Sequence, residues 1–207
     1  MSMSLFPIFV KLEGRLIVVV GGGNIAEAKI PGVLAAGARI RLIAPSITPQ
    51  IAEWVRFGKT DWLPKEFTAA DLDGAFLVIA ATSAPGVNEA VFREAETRGI
   101  LCNAVDDIEH CHFYYGAVVQ RGDLQIAIST NGKSPALAQR LRLEFEAEFG
   151  QEYEAWLQWL GAAREALRES GPSTEANKKL LHELASRPMF EEFVRQATRR
   201  PGHQGAA

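Results

Sequence analysis

The segment Val20–Ala26 has the glycine spacing typical of a turn that binds the phosphates of a dinucleotide, and it joins an apolar run to a helical stretch. Gly21 would allow the tight turn, and Gly23 would let the backbone approach a pyrophosphate. Ala26 is small enough for the helix to pack on a sheet. A plain strand-to-helix turn is the alternative interpretation. The candidate cofactor-binding residues on this turn are Gly21, Gly23, Asn24 and Ile25.

Two further loops, each at the end of a later strand, could contact a dinucleotide. The acid that usually binds the ribose hydroxyl is replaced by Pro45 and Ser46, and the absence of an arginine beside Ser46 slightly favours NAD over NADP. Thr82 follows another apolar run and could donate to a ribose or an amide. A turn threonine that is satisfied within its own loop is the alternative for Thr82.

Two acids, Asp106 and Asp107, end a further apolar run that also contains Asn103, a candidate cofactor contact. Adjacent residues at a strand end point to opposite sides, so we do not expect a carboxylate dyad. One carboxylate should face the ligand crevice, where it could accept a proton or bind a metal ion. Capping of a turn or helix is the alternative role.

The next histidines, His110 and His112, lack a third metal ligand at suitable spacing, so solvent-exposed or rim histidines are favoured over a metal site. Further on, the polar segment Ser129–Pro135 could bind the carboxylates of an acidic ligand. Simple helix capping by Ser134 is the alternative. The candidate substrate-binding residues are Thr130, Asn131, Lys133 and Ser134.

Short apolar runs and helical stretches alternate around these residues, which predicts an α/β fold with a Rossmann-like, doubly wound parallel sheet. The predicted strands are Leu16–Val20, Arg39–Ala44, Phe76–Ala81, Ile100–Val105 and Leu124–Ser129. The predicted crossover helices are Ile25–Ala36, Ile47–Phe57 and Val87–Arg98.

A small helical C-terminal region should follow the sheet. Helices are predicted over Ala136–Phe149, from Glu152 to a break at Gly171, and over Ala176–Thr198 with an interruption at Pro188. The tail Pro201–Ala207 is predicted to be disordered. An apolar stripe in this region could form core or a dimer interface, and its members are Tyr153, Trp156, Leu157 and Leu160.

Composition excludes several classes of protein. The 207 residues carry 22 Lys and Arg against 25 Asp and Glu, so the basic excess of a nucleic-acid or anionic-membrane binder is lacking. Two cysteines cannot form a disulfide scaffold, and apolar runs such as Leu16–Val20 are far too short to cross a membrane. No secretory signal is recognised, so we expect a reduced, soluble, cytoplasmic protein.

Five separated motifs between Leu5 and Leu143 together resemble the precorrin-2 dehydrogenase / sirohydrochlorin ferrochelatase family of siroheme biosynthesis. The motifs are Leu5–Phe9, Gly21–Gly23 with Ala26 and Lys29, Ala80–Thr82, Asn103–Asp106 and Ser134–Arg142. The resemblance implies NAD-dependent dehydrogenation of precorrin-2 to sirohydrochlorin, which some members follow with insertion of ferrous iron to give siroheme.

Asp106 matches the aspartate that the family uses in dehydrogenation and, in members with chelatase activity, in chelation. It is therefore the candidate catalytic residue and transient iron ligand. Thr130 stands where some members carry a serine in the tetrapyrrole pocket. The resemblance implies a homodimer and three parts: an NAD-binding domain over residues 1–115, a dimerisation and tetrapyrrole segment over 116–150, and a helical region over 151–207.

Two departures from the family are visible. Gly116 stands where members usually carry a proline, so the loop there could differ in shape. The methyltransferase half of fused siroheme synthases is also missing, which implies that another protein supplies precorrin-2. Two alternatives stay open: a dehydrogenase without chelatase activity, and a non-catalytic module that senses NAD.

Overall fold

The computed structural model describes residues 5–172 and 174–199, and these form two compact units. The first unit is Leu5–Tyr115, and the second begins at Gly116. The tail predicted to be disordered, Pro201–Ala207, lies outside the described residues.

The first unit contains a five-stranded parallel sheet with helices on both faces. Its strands are β1 (Leu16–Val20), β2 (Arg39–Ile43), β3 (Asp61–Leu63), β4 (Leu77–Ala80) and β5 (Leu101–Ala104), in the order β3-β2-β1-β4-β5. Its α-helices are α1 (Asn24–Ala35), α2 (Pro49–Arg56) and α3 (Pro85–Thr97), with short 3-10 helices at Ala69–Leu72 and Ile108–His110. The prediction of a doubly wound, Rossmann-like sheet is therefore confirmed.

The central strand β1 is buried on both faces because successive side chains point to opposite sides of the sheet. Ile17 and Val19 pack in one core together with residues of α1 and α2. Val18 and Val20 pack in a second core together with residues of α3. These two cores fix the carboxyl ends of the strands, where the loops that could bind a ligand begin.

Strand β3 was not predicted from the sequence. It has only three residues, and Asp61 and Leu63 at its two ends are exposed, so it lacks the continuous apolar run of the other strands. Its middle residue attaches it to the sheet, since Nε1 of Trp62 donates a hydrogen bond to the carbonyl oxygen of Ala44 at 2.9 Å.

The prediction that Leu124–Ser129 is a parallel strand of the main sheet is wrong. These residues form β7 (Leu124–Ile128), which pairs antiparallel with β6 (Ala117–Arg121) in a separate two-stranded sheet. The physical reason is the two-residue connection through Gly122, whose φ of 55° suits a tight hairpin turn. Such a short link permits antiparallel pairing only.

Among the described residues of the second unit, four helices follow: α4 (Pro135–Glu148), α5 (Glu152–Glu169), α6 (Glu175–Leu184) and α7 (Arg187–Arg199). The predicted interruption of this helical stretch is present, but it does not fall at Pro188, since this proline lies in the first turn of α7, where its missing N–H costs no helical bond. The break falls instead at Ala185 and Ser186. The aromatic rings of Tyr153, Trp156 and Phe190 pack together between α5 and α7.

Within the described ranges, no helix has the length and apolar character needed to span a membrane.

Candidate functional site

The turn between β1 and α1 contains positions that only glycine can occupy without strain. Gly21 has φ 117°, and a Cβ atom there would collide with the carbonyl group of Ala81 at the end of β4. Its N–H donates to the carbonyl oxygen of Ile43 at 2.9 Å. The turn is therefore held close to both neighbouring strands.

Gly22, for which the sequence suggested no role, is equally constrained. A Cβ atom at this position would collide with the carbonyl oxygen of Ser46 and would lie 2.9 Å from the Ala44 side chain. By contrast, a Cβ atom on Gly23 would meet no atom within 4 Å. Gly22 therefore serves packing, whereas Gly23 leaves space for a ligand. The signal in the sequence was the run of three glycines.

Helix α1 begins directly behind this turn without a side-chain cap. Gly23 is its N-cap residue, and the first backbone bond within the helix runs from the N–H of Glu27 to the carbonyl oxygen of Gly23 at 3.0 Å. The N–H groups of Asn24 and Ile25 precede that bond and have no acceptor within the helix. Together with the helix dipole they favour an anion at this end.

A cavity of about 960 Å³ lies at this helix end. Its size is at the upper end of the range of sites for small molecules and cofactors. Four chain segments form its walls: residues 20–25, 43–48, 65–67 and 81–90, the last in part. The predicted cofactor contacts that line it are Gly21, Gly23, Asn24, Ile25, Pro45, Ser46 and Thr82.

The Thr82 hydroxyl is already hydrogen-bonded within the turn between β4 and α3. Its Oγ1 lies 2.8 Å from Oδ1 of Asn88 and 3.0 Å from the carbonyl oxygen of Ala84, and its proton can be donated to one of these at a time. The Asn88 side chain also accepts from the Thr82 N–H and donates to the Thr82 carbonyl oxygen. The alternative of a satisfied turn threonine therefore describes Thr82, and Asn88 is the residue that shapes this wall.

Lys65 is the one cationic side chain among the described residues that line the cavity. Its Nζ lies 2.7 Å from Oδ1 of Asp71, whose side chain is only 7% exposed. Burial raises the pKa of the Asp71 carboxyl, but hydrogen bonds from Lys65 and Thr68 outweigh burial and hold the pKa below its ordinary value. The lysine is thereby anchored to the segment after β3.

Asp106 follows β5, at the same carboxyl edge of the sheet as the glycine turn and two strands away from β1. It does not line the cavity. Its side chain is exposed, and its φ of 64° lies in the left-handed region, which aspartate tolerates better than most residues. Among the described residues, no hydrogen bond or ion pair engages its carboxylate.

Asn103 also lies outside the cavity, and its amide nitrogen is hydrogen-bonded within the protein. The side chain is buried, and Nδ2 donates to the carbonyl oxygen of Phe113 at 2.8 Å and to Sγ of Cys111 at 3.3 Å. The amide nitrogen therefore fixes the chain after β5, and a contact between Asn103 and a cofactor stays a prediction.

His110 and His112 have structural partners. The Nδ1 atom of His110 lies 2.6 Å from Oδ2 of Asp107, a hydrogen bond that holds the pKa of this carboxyl below its ordinary value. Nδ1 of His112 accepts from the N–H of Cys102 at 3.0 Å. The Phe92 ring contacts both imidazoles. Within the part of the chain described, no group of three acidic, histidine or cysteine side chains could hold a metal ion.

The predicted substrate-binding segment lies in the second unit, between β7 and α4. Ser134 is the N-cap of α4, with its Oγ accepting from the N–H of Leu137 at 3.2 Å. Oγ1 of Thr130 accepts from the N–H of Ser134 at 3.2 Å. Asn131 has φ 53°, and the Lys133 side chain is exposed. The capping alternative thus describes Ser134, while Lys133 is presented to solvent.

The parallel sheet, the glycine turn and the open helix end define a Rossmann-type dinucleotide-binding protein. A family model for NAD(P)-binding domains matches residues 8–117, and the model for the central domain of sirohaem biosynthesis proteins matches residues 121–148. The chain belongs to the precorrin-2 dehydrogenase / sirohydrochlorin ferrochelatase family of siroheme biosynthesis. The family resemblance of its motifs is thereby confirmed.

The relatives are siroheme synthases and a dehydrogenase. Siroheme synthase 1 of Serratia proteamaculans is 39% identical over 173 residues, which are 82% of this chain and 36% of the relative. Siroheme synthase of Photorhabdus laumondii is 43% identical over 145 residues, 70% of this chain and 31% of the relative. The chain thus spans about a third of the length of these relatives. A solved structure of SirC, a precorrin-2 dehydrogenase, superposes with a TM-score of 0.76 at 29% identity, covering 95% of this chain and all of SirC.

Proposed function

We propose that the protein is an NAD-dependent dehydrogenase that converts precorrin-2 to sirohydrochlorin. The observation that carries the proposal is the cavity at the uncapped end of α1, with an exposed acid, Asp106, on the same edge of the sheet. The similarity to SirC over its whole length supports the choice of substrate.

The cavity residues would bind the cofactor in an extended form along the edge of the sheet. Gly23 leaves room for a pyrophosphate, and the N–H groups of Asn24 and Ile25 would donate to its oxygens. Ser46 and Lys65 line the cavity, and the adenosine ribose would lie against the loop after β2 that contains Ser46. When bound, NAD supplies a hydride acceptor.

Asp106 would act as the general base. Dehydrogenation removes a hydride from a saturated ring carbon and a proton from the macrocycle, so NADH and one proton accompany each sirohydrochlorin. The proton requires an acceptor near the ring, and the Asp106 carboxylate is exposed and has no partner among the described residues. The same carboxylate could later receive pyrrole protons or hand over ferrous iron.

The segment between β7 and α4 would orient the substrate through its carboxylates. Lys133 offers an exposed ammonium group, and Thr130 and Ser134 offer hydroxyl groups near the start of α4. Asn131 lies in the same turn. This assignment makes residues 116–150 the tetrapyrrole and dimerisation segment, between an NAD-binding domain over 1–115 and a helical region over 151–207, in a homodimer.

An anaerobic assay of the purified protein tests the proposal. Precorrin-2 is mixed with NAD, and in a parallel arm with NADP, while the absorbance of the reduced nicotinamide and of sirohydrochlorin is followed. We expect both products to appear at equal rates with NAD. Binding of NAD without turnover of precorrin-2 would contradict the proposal and favour an NAD-sensing module.

A second arm of the assay supplies sirohydrochlorin and ferrous iron. Siroheme formation in this arm would assign the chelatase step to the same protein. Dehydrogenation without siroheme formation would identify a dehydrogenase that depends on a separate chelatase.

A further inference from the structure

The turn that presents Asp106 is not held by the Asp106 side chain itself. Among the described residues, only Asp106 and Asn131 are non-glycine residues with positive φ, a conformation that costs free energy and persists where the surroundings enforce it. The Asp106 carboxylate has no partner in that part of the chain. The constraint must therefore come from the residues on either side.

The carbonyl groups that flank Asp106 converge on a single thiol. Sγ of Cys111 lies 3.1 Å from the carbonyl oxygen of Ala104 and 3.1 Å from that of Asp107. One S–H proton is shared between these two acceptors, and the sulfur accepts from Nδ2 of Asn103 at 3.3 Å. The thiol thus joins the chain before Asp106 to the chain after it.

Cys111 is itself fixed by pairing with β5. It forms an isolated antiparallel bridge with Asn103, and the N–H of the next residue, His112, donates to the carbonyl oxygen of Cys102 at 2.8 Å. Burial raises the pKa of the Cys111 thiol and Asp107 raises it further, although a hydrogen bond to Ala104 opposes them. The thiol therefore keeps the proton that it donates.

We propose that Cys111 is a positioning residue that holds the Asp106 turn in its left-handed conformation and so aims the Asp106 carboxylate. The inference rests on the proposed role of Asp106 as general base. We therefore expect Cys111 to affect the rate of the chemical step. It should not affect the binding of NAD, since Cys111 does not line the cavity.

The test compares Cys111→Ala, Cys111→Ser and Cys102→Ala in the dehydrogenation assay. Loss of a net hydrogen bond corresponds to a change of about threefold to about tenfold, so we expect kcat of Cys111→Ala to fall by that factor with KM for NAD unchanged. Cys111→Ser keeps an O–H donor and should recover most of kcat. Cys102→Ala removes the other thiol of this region, which is fully buried in the core, and should lower the melting temperature without lowering kcat.

Asp106→Asn, measured alongside, separates the two claims. An inactive Asp106→Asn with a fully active Cys111→Ala would overturn the positioning role and leave the role of Asp106 intact. A fully active Asp106→Asn would overturn the proposed base itself. Equal losses of kcat in Cys111→Ala and Cys102→Ala, each matched by the loss of folded protein, would also overturn the positioning role.

Discussion

Oγ1 of Thr48 donates a hydrogen bond to Oε2 of Glu27 at 2.5 Å, which joins the N-terminus of α2 to the first turn of α1. The same oxygen caps α2 by accepting from the N–H of Ile51. Thr48 also donates its N–H to the carbonyl oxygen of Gly22 at 3.0 Å. Two walls of the cavity are thus tied together by one residue.

Replacement of Thr48 by valine should lower the free energy of unfolding by about 1–2 kcal/mol, because a helix cap and a bond to a carboxylate are lost together. Urea unfolding of Thr48→Val, Glu27→Ala and the double variant would measure the coupling between them. We expect a coupling energy of at least about 0.5 kcal/mol. Additive effects of the two substitutions would contradict a direct bond.

Alanine substitutions at two adjacent glycines should separate folding from cofactor binding. Gly22→Ala places a methyl group against the Ser46 carbonyl and should destabilise the protein by about 1–3 kcal/mol. The methyl group of Gly23→Ala would meet no atom within 4 Å, so the free energy of unfolding should change by about 1 kcal/mol or less. Its methyl group would occupy the path of the pyrophosphate, so NAD should bind at least about tenfold more weakly, a cost of about 1.4 kcal/mol.

Thermal unfolding and calorimetric titration with NAD would measure both effects. Wild-type affinity for NAD in the Gly23→Ala variant would contradict the placement of the pyrophosphate at this turn.

The ion pair of Lys65 and Asp71 should make stability depend on pH. The folded-state pKa of Asp71 is lowered, so its contribution is present above the ordinary pKa of 3.8 and is lost as the pH falls through the folded-state value. At pH 7 the free energy of unfolding of Asp71→Asn should therefore be about 1 kcal/mol lower than that of wild type, and at acid pH the difference should nearly vanish. The matched control is Asp73→Asn, because the Asp73 side chain that pairs with Arg98 is exposed, and such exposed ion pairs contribute little to stability.

Urea unfolding of wild type, Asp71→Asn and Asp73→Asn, measured from pH 7 down to acid pH, would compare their free energies of unfolding. A constant difference between wild type and Asp71→Asn at every pH would show that charge is not the source of the effect.

Gly116, which replaces the proline of the family, should not accept a side chain. A Cβ atom there would lie 2.8 Å from the carbonyl oxygen of Ile128 across the β6–β7 hairpin. Gly116→Ala should destabilise the second unit by about 1–3 kcal/mol. Gly161→Ala is the control, because Gly161 lies inside α5 with open space around it and alanine favours a helix by about 1 kcal/mol. Equal melting temperatures for the two variants would refute the close contact.

The sequence allowed the parallel sheet and the glycine turn to be predicted because both depend on local patterns: apolar runs, helical stretches and glycine spacing. It could not reveal β3, whose three residues carry no such pattern, nor the pairing of β7, which depends on a partner strand. Half-buried and exposed residues alternate along β7, and Gln125 at one of the exposed positions interrupts its apolar run, which a strand covered on both faces would not show.

The lining of the cavity also combines residues with a local pattern and residues without one. Residues of the glycine turn and the next loop, which the sequence offers as cofactor contacts, line the cavity, but Lys65 reaches it from the segment that follows β3, a strand that was not predicted. The sequence also carries no sign that the amide nitrogen of Asn103 holds the chain near Cys111. Side-chain hydrogen bonds of this kind join residues brought together by the fold, so residue type alone does not reveal them.

The most direct test of the account is the rate of precorrin-2 oxidation by Asp106→Asn. Asparagine tolerates the left-handed conformation of this residue and removes only the base. We expect kcat to fall by about 100-fold or more while the affinity for NAD stays within about twofold of wild type. Asp106→Gly, which relaxes the backbone, should be equally inactive and no less stable. A wild-type kcat in Asp106→Asn would contradict the role of Asp106 as the base.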